Sequence, residues 1–302
     1  MTFKIFSDDQ IRNKDIDTLK RFLRIKLGGY RVAINDMSTD NLLYRGVMCP
    51  ELPCTIDRIS YPPPDKVVNL GRANRVGQPM FYASRAAPAV FFESRAKQGE
   101  LFAMSEWEVA EPLWMHNLGY HKDALLKLGA PGIEMRARLT DPIQNESREN
   151  ATLRKQLSLA FTEDIQQGRE YRYKQSIAIN ELLFGDAEPL PIRPNGPTSS
   201  RVAGTVYPAM QMRGAADNMA IWPEFVDSSL RIKSVRYVLV EAADAAGSAY
   251  TVLTVAYSNT FAGRDIVWQD NLPPENQRRS RISLENGDWV LRDGYDRVYD
   301  RH

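Results

Sequence analysis

Three side chains between residues 70 and 98 carry groups that could act together: Arg72, Tyr82 and Glu93, a cation, a ring and a carboxylate set ten and then eleven residues apart. A guanidinium can hold a pyrophosphate through two parallel hydrogen bonds, an aromatic face can stack on a planar ring, and a carboxylate can stabilise an oxocarbenium ion directly or through ribose hydroxyls. Cleavage of the glycosidic bond between nicotinamide and ribose needs such a set, because the leaving group is already cationic and no strong acid is required. Taken one at a time, the plainer readings prevail: a surface cation, a half-buried strand residue, a solvated helix position. Two details weigh the other way. Glu93 follows Val90-Phe91-Phe92 in a stretch with little polar surface, and Arg72 is flanked by Gly71 and Gly77, which allow close approach of backbone to a ligand.

The elements that must position these groups follow from period and punctuation. Residues 71–77 read as a loop and 78–83 as a strand with Met80 and Tyr82 on one side and Phe81 on the other. Ser84 is expected to cap a helix with Pro88 in its first turn, ending at Gly99. On that helix Glu93 shares a face with Ala86, Ala89 and Ala96, whose small side chains leave room beside the carboxylate. Ahead of this unit, Ser7 or Asp8 can cap one amphipathic helix running to about Leu27, where Gly28 and Gly29 stop it, with Ile16, Leu19, Phe22, Leu23 and Leu27 on one face. Residues 42–47 read as a strand carrying Arg45, and the Tyr61-Pro62-Pro63-Pro64-Asp65 run as a rigid connector.

After the unit, residues 101–109 read as a strand, 123–128, 143–167 and 171–184 as helices, and 202–207 as a buried strand followed by a turn-rich run over 213–218. A proline-rich loop spans 186–200, and residues 231–240 and 250–257 read as strands. Asn286-Gly287 is a hairpin signal. No repeat and no linker interrupt the chain, so one α+β body is expected.

The 302 residues suffice for a large core, and 39 Lys and Arg against 38 Asp and Glu give none of the basic footprint of a general nucleic-acid binder. Cys49 and Cys54 read as reduced loop thiols, and the scattered His116, His121 and His302 lack the spacing of a zinc site, so no metal is expected. No run approaches 18 apolar residues and the start of the chain lacks a signal-peptide core; a cytoplasmic protein without a membrane partner is expected.

The chain also resembles a known family. Gly71-Arg72-Ala73-Asn74-Arg75-Val76-Gly77-Gln78-Pro79-Met80-Phe81-Tyr82, then Phe92-Glu93-Ser94-Arg95 and Gly99, look like the RES-domain family, toxins of bacterial toxin–antitoxin systems. Tyr173-Lys174-Gln175-Ser176-Ile177-Ala178, Gly204-Thr205-Val206-Tyr207-Pro208 and Asn218 extend the likeness over roughly residues 42–240. The resemblance implies an ADP-ribosyltransferase-like core of small twisted sheets flanked by helices, related to the diphtheria-type enzymes. An N-terminal helical extension (1–41), a catalytic NAD-binding domain (42–257) and a C-terminal extension packed on the core (258–302) would divide the chain.

It further implies NAD as the substrate, consumed by hydrolysis or phosphorolysis, with mono-ADP-ribosylation of a protein as the alternative and a non-catalytic nucleotide-binding module as a second. The family's Arg, Tyr and Glu fall on Arg72, Tyr82 and Glu93. An additional early Arg falls on Arg45 or Arg58, with Arg45 preferred, and Asn74, Tyr207 and Asn218 complete the ligand contacts. The family's Ser after Tyr-Pro is Ala209 here, so a substrate hydroxyl contact would have to come from elsewhere, such as Tyr207 or Asn218. An antitoxin or immunity protein covering the pocket is the implied partner, and a homo-oligomer is compatible with the likeness.

Overall fold

A computed structural model describes residues 4–28, 30, 33–138, 147–185, 190, 196–272 and 279–293. Its helices are α1 (Asp8–Asn13), α2 (Ile16–Lys26), α3 (Ala89–Ser94), α4 (Lys122–Leu128), α5 (Ile133–Ala137), α6 (Arg148–Phe161), α7 (Tyr173–Gly185) and α8 (Pro223–Ser229). Its strands are β1 (Ile34–Met37), β2 (Leu42–Met48), β3 (Phe81–Ser84), β4 (Leu101–Val109), β5 (Leu113–Asn117), β6 (Val202–Pro208), β7 (Asp217–Ile221), β8 (Leu230–Ala243), β9 (Ala249–Ser258), β10 (Phe261–Ala262), β11 (Asp265–Ile266), β12 (Arg279–Glu285) and β13 (Asp288–Asp293). The class is α+β, as the alternation of patterns predicts.

Among the described residues eleven strands form one sheet in the order β1-β5-β6-β7-β3-β2-β4-β8-β9-β12-β13. Only β5 and β6 run parallel within it; the other neighbours are antiparallel. Small separate sheets were expected, and the ladder is instead continuous, though nearly severed at one place. There β2 and β3 meet at a single residue pair, Tyr44 with Ser84, whereas β2 pairs with β4 along its whole length from Leu42 to Met48. The Asn286-Gly287 signal closes the β12–β13 hairpin with both residues at positive φ, 53° and 82°.

The N-terminal segment forms two helices rather than one. Ser7 caps α1 in a capping box with Gln10, Lys14 turns extended, and the Asp15 carboxylate then caps α2 by accepting from the Thr18 N–H at 2.6 Å. Two caps within nine residues override the continuous apolar stripe. Ile16, Leu19 and Leu23 are buried, while Phe22 is 39% exposed. A charged cluster ties α2 to α7 and to the 71–77 loop: the Lys20 ammonium lies 2.9 Å from Glu181, and the Arg75 guanidinium donates to both Glu181 and Asp17.

Around Glu93 the helix is shorter than its pattern. Ser84 closes β3 instead of capping the helix: its hydroxyl donates to the Asp217 carbonyl of β7 at 2.9 Å and accepts from the Ala86 N–H at 3.2 Å, in a turn that precedes the helix. The helix begins only after Pro88 and stops where Arg95 turns left-handed at φ 50°. The helix expected over 143–167 is α6, capped by Ser147 and ending at Phe161; residues 143–146 lie outside the described residues, as does most of the 186–200 loop. Asn218, expected in a turn, sits inside β7. Helices α5 and α8, with β1 and the β10–β11 ribbon, have no strong period and were not anticipated.

Helix α3 is seated by a missing side chain. A Cβ on Gly46 of β2 would stand 2.0 Å from Val90 Cγ1, so the glycine lets the helix approach the strand directly. Phe91 and Phe92 then pack on Phe102 and Tyr250, with Phe92 edge-on to Tyr250 at 4.9 Å between centroids. Gly46→Ala is expected to cost about 1–3 kcal/mol by overpacking, and Val90→Ala in the same chain to recover part of that loss; denaturant unfolding of the two singles and the double measures it.

Candidate active site

A cavity of about 460 Å³ opens where β2 and β3 part, a size in the range of small-molecule sites. Arg45, Arg72, Tyr82, Glu93, Tyr207 and Asn218 all line it. They arrive from five places: β2, the 71–77 loop, β3, α3, and the β6–β7 pair. The register explains the last part. Tyr207 and Ser84 both lie opposite Asn218, and Tyr82 lies two residues from Ser84, so Tyr82, Asn218 and Tyr207 share one face of three neighbouring strands.

Arg45 occupies the break in the sheet. Its Nη1 donates to the Tyr82 carbonyl of β3 at 2.8 Å, where β2 makes no ladder bond, and its Nε donates to the Ser60 carbonyl at 2.9 Å. Burial brings its pKa down to about 10, so it remains a cation at neutral pH, and no carboxylate among the described residues pairs with it. Arg58, the other reading of the early arginine, is exposed on a 3-10 turn (Ile56–Arg58) away from the cavity.

Arg72 closes helix α6. Its guanidinium donates to the Phe161 carbonyl and, at 3.1 Å, to the Glu163 carbonyl, a cation at the negative end of a helix dipole. Its plane lies near the rings of Tyr173 and Tyr207, 5.7 and 6.0 Å from their centroids. Two of five N–H donors are taken by carbonyls, and the rest of the fork is available to an anion.

Tyr82 is held by its hydroxyl. That group donates to Asn74 Oδ1 at 2.7 Å and accepts from the Ala73 N–H at 2.9 Å, and burial pushes its pKa up. Gly71 is needed for this arrangement, since a Cβ there would stand 2.2 Å from Asn74 Oδ1 and 2.8 Å from the Tyr82 hydroxyl. The expectation that Asn74 touches a ligand is therefore corrected: it is buried behind Tyr82, its amide donating to the Arg75 carbonyl at 2.9 Å, and it does not line the cavity.

Glu93 projects from α3 into the same space. The Gln211 backbone N–H donates to its Oε1 at 3.0 Å. Burial raises its pKa, against the lowering pull of that N–H, the Arg72 charge and the Asn218 side chain. The Asn218 Oδ1 is buried and has no partner in the structure, an acceptor that a ligand N–H or O–H would satisfy. Ala209 stands off the wall altogether: it is fully buried in the apolar cluster of Phe91, Phe92 and Met212. The missing hydroxyl leaves no gap in the cavity, whose polar contacts on that side are Tyr207, Asn218 and Gln211.

Sequence reasoning missed Gln211, which acts through its backbone and leaves no side-chain signature, and Asp164, which sits at the rim and pairs with Arg95 at 3.5 Å. Tyr173 belonged to a quoted motif without a role and lines the cavity under Arg72. No three His, Cys, Asp or Glu side chains among the described residues form a metal-binding group, and none of the described helices is long and apolar enough to cross a membrane. His116, at the end of β1's partner strand, is buried against the Leu183 carbonyl, with its pKa brought down to about 4 by burial, and serves the core. No protein-family model matches the chain, and neither a curated protein nor a solved structure matches it.

The site also leaves a mark on stability. A carboxyl whose folded pKa lies above its unfolded value binds its proton more tightly in the native state, so the stability it lends at acid pH is lost as the pH rises through the folded pKa. Glu93→Gln is therefore expected to raise the melting temperature at pH 7, and the gain to shrink as the pH falls toward the ordinary carboxylate range; calorimetry at several pH values reads both.

Proposed function

We propose that the chain is an enzyme that consumes NAD by breaking the bond between nicotinamide and ribose, as a toxin or effector of the RES-domain kind acting in the bacterial cytoplasm. The observation that carries the reading is the charge pattern of the cavity: two guanidiniums, Arg45 and Arg72, held by carbonyls rather than carboxylates, beside one desolvated carboxylate, Glu93. NAD carries a dianionic pyrophosphate and a cationic nicotinamide ring, and its cleavage develops positive charge on the ribose. The near-division of the sheet, with the cavity in the gap and helices on its flanks, supports an ADP-ribosyltransferase-like core.

In this reading Arg72 takes the pyrophosphate through its remaining donors, with Arg45 adding charge from the floor. Tyr82, with its hydroxyl already engaged, offers its ring to the nicotinamide or its ribose. The bond from ribose C1′ to the ring nitrogen breaks with its electron pair leaving on nicotinamide, which departs neutral. The Glu93 carboxylate stabilises the oxocarbenium ion, and the acceptor then adds to C1′ and gives its proton to solvent. A Glu93 held rigidly, partly out of water, stabilises that charge more than a solvated carboxylate would.

Incubation of the purified protein with NAD, with and without phosphate, tests the reading by product analysis. Nicotinamide with free ADP-ribose marks hydrolysis, a phosphorylated ADP-ribose marks phosphorolysis, and label retained on a macromolecule moves the assignment to ADP-ribosyl transfer. Intact NAD with the wild-type protein ends it. Glu93→Gln is expected to lower kcat by about 100-fold or more, and Arg72→Lys to raise KM by about tenfold, because a point charge does not reproduce the fork. Since only ionised Glu93 works, kcat/KM should fall on acidification along a limb centred above the ordinary carboxylate range, and the limb should vanish in Glu93→Gln.

A further inference from the structure

The direction in which Arg72 faces is set by residues that never reach the cavity. Its two carbonyl partners, on Phe161 and Glu163, lie at and beyond the end of α6, where no helical bond fixes their orientation. The residue that carries the second of them, Glu163, is itself anchored through its side chain. Its Oε1 accepts from Arg172 Nε at 2.6 Å and its Oε2 from Gln175 Nε2 at 2.6 Å. Both donors are buried, Arg172 5% and Gln175 4% exposed. The far side of the Arg172 guanidinium donates to the Asp8 carboxylate in the first turn of α1. A continuous polar chain thus runs from α1 through Arg172 and Glu163 to Arg72.

We propose that Arg172 is a positioning residue for Arg72, acting through Glu163, and that α1 is thereby part of the anion-binding apparatus. The inference rests on the reading of Arg72 as the pyrophosphate ligand. Arg172 does not line the cavity, so it touches no substrate there. Without it, the Glu163 carboxylate loses its charged partner in a part-buried site and keeps only the Gln175 amide, so the carbonyl that aims Arg72 loses part of its anchor. Misaiming one ligand of the pyrophosphate removes binding shared by ground and transition states, which raises KM and spares kcat.

The test uses the full chain. In Arg172→Gln the KM for NAD should rise about tenfold with kcat within about twofold. Glu163→Gln should do the same, and the double variant should lose no more than either single, since the two residues act in series. Arg279→Gln, which breaks the remote pair with Glu241, should leave KM unchanged. An unchanged KM in folded Arg172→Gln, or a loss confined to kcat, overturns the proposal. Should Arg172→Gln not fold, Asp8→Asn at the more exposed end carries the same measurement, with a smaller rise in KM expected and no rise counting against it. A second readout needs no substrate: the side-chain NMR signals of the Arg72 guanidinium, assigned by their loss in Arg72→Lys, should be resolved in the wild type and averaged in Arg172→Gln and Glu163→Gln. Inert NAD with the wild type would sink the functional reading alone, whereas unaltered Arg72 signals in both variants would sink the positioning role.

Discussion

The constraint on which the molecule depends is the gap between β2 and β3. A sheet that parts after one residue pair leaves strand carbonyls without ladder partners, and buried backbone acceptors must find donors elsewhere. Arg45 supplies them by reaching across to the Tyr82 carbonyl. The same side chain therefore bridges the two halves of the sheet and brings a half-buried positive charge to the wall of the cavity. Removing the gap would remove the site, and removing the arginine would leave the gap unsupported.

From that gap outward the structure alternates between satisfied and unsatisfied polar groups. Asn74 and Ala73 use up the Tyr82 hydroxyl in space that Gly71 leaves open, and the cluster of Asp17, Lys20, Arg75 and Glu181 fastens the loop behind them. Facing the cavity the accounts stay open: the Asn218 oxygen has no partner, Glu93 holds a proton more readily than a solvated carboxylate does, and two arginines lack carboxylates. Natural interiors leave few such groups unmatched, and Asn218, Glu93 and the two arginines share one cleft.

How much of this was legible in the sequence depended on the kind of interaction. The strands over residues 42–48, 101–109 and 250–258 carry the apolar alternation and β-branched content of their burial, and the Asn286-Gly287 turn announces itself by chemistry. Arg72, Tyr82 and Glu93 share a local stretch and could be grouped, although each taken singly has a plainer reading. What could not be read was set by distant partners. Ser84 looks like the cap until Pro88 proves to be where the helix starts, Asn74 looks like a ligand until Tyr82 takes its carbonyl oxygen, and the break at Lys14 depends on two competing caps. Gln211 reaches Glu93 through its backbone N–H alone, a group that every residue but proline has.

The close seat of α3 on Gly46 has a consequence for motion. A helix in direct contact with a strand, its phenylalanines locked among Phe102 and Tyr250, has no slack through which to swing. Glu93 is therefore presented to the cavity from a fixed base, its orientation set when the chain folds. Whatever flexing admits a ligand must come from the opposite wall and the rim, where Asp164, Arg95 and Gln211 are joined by exposed contacts.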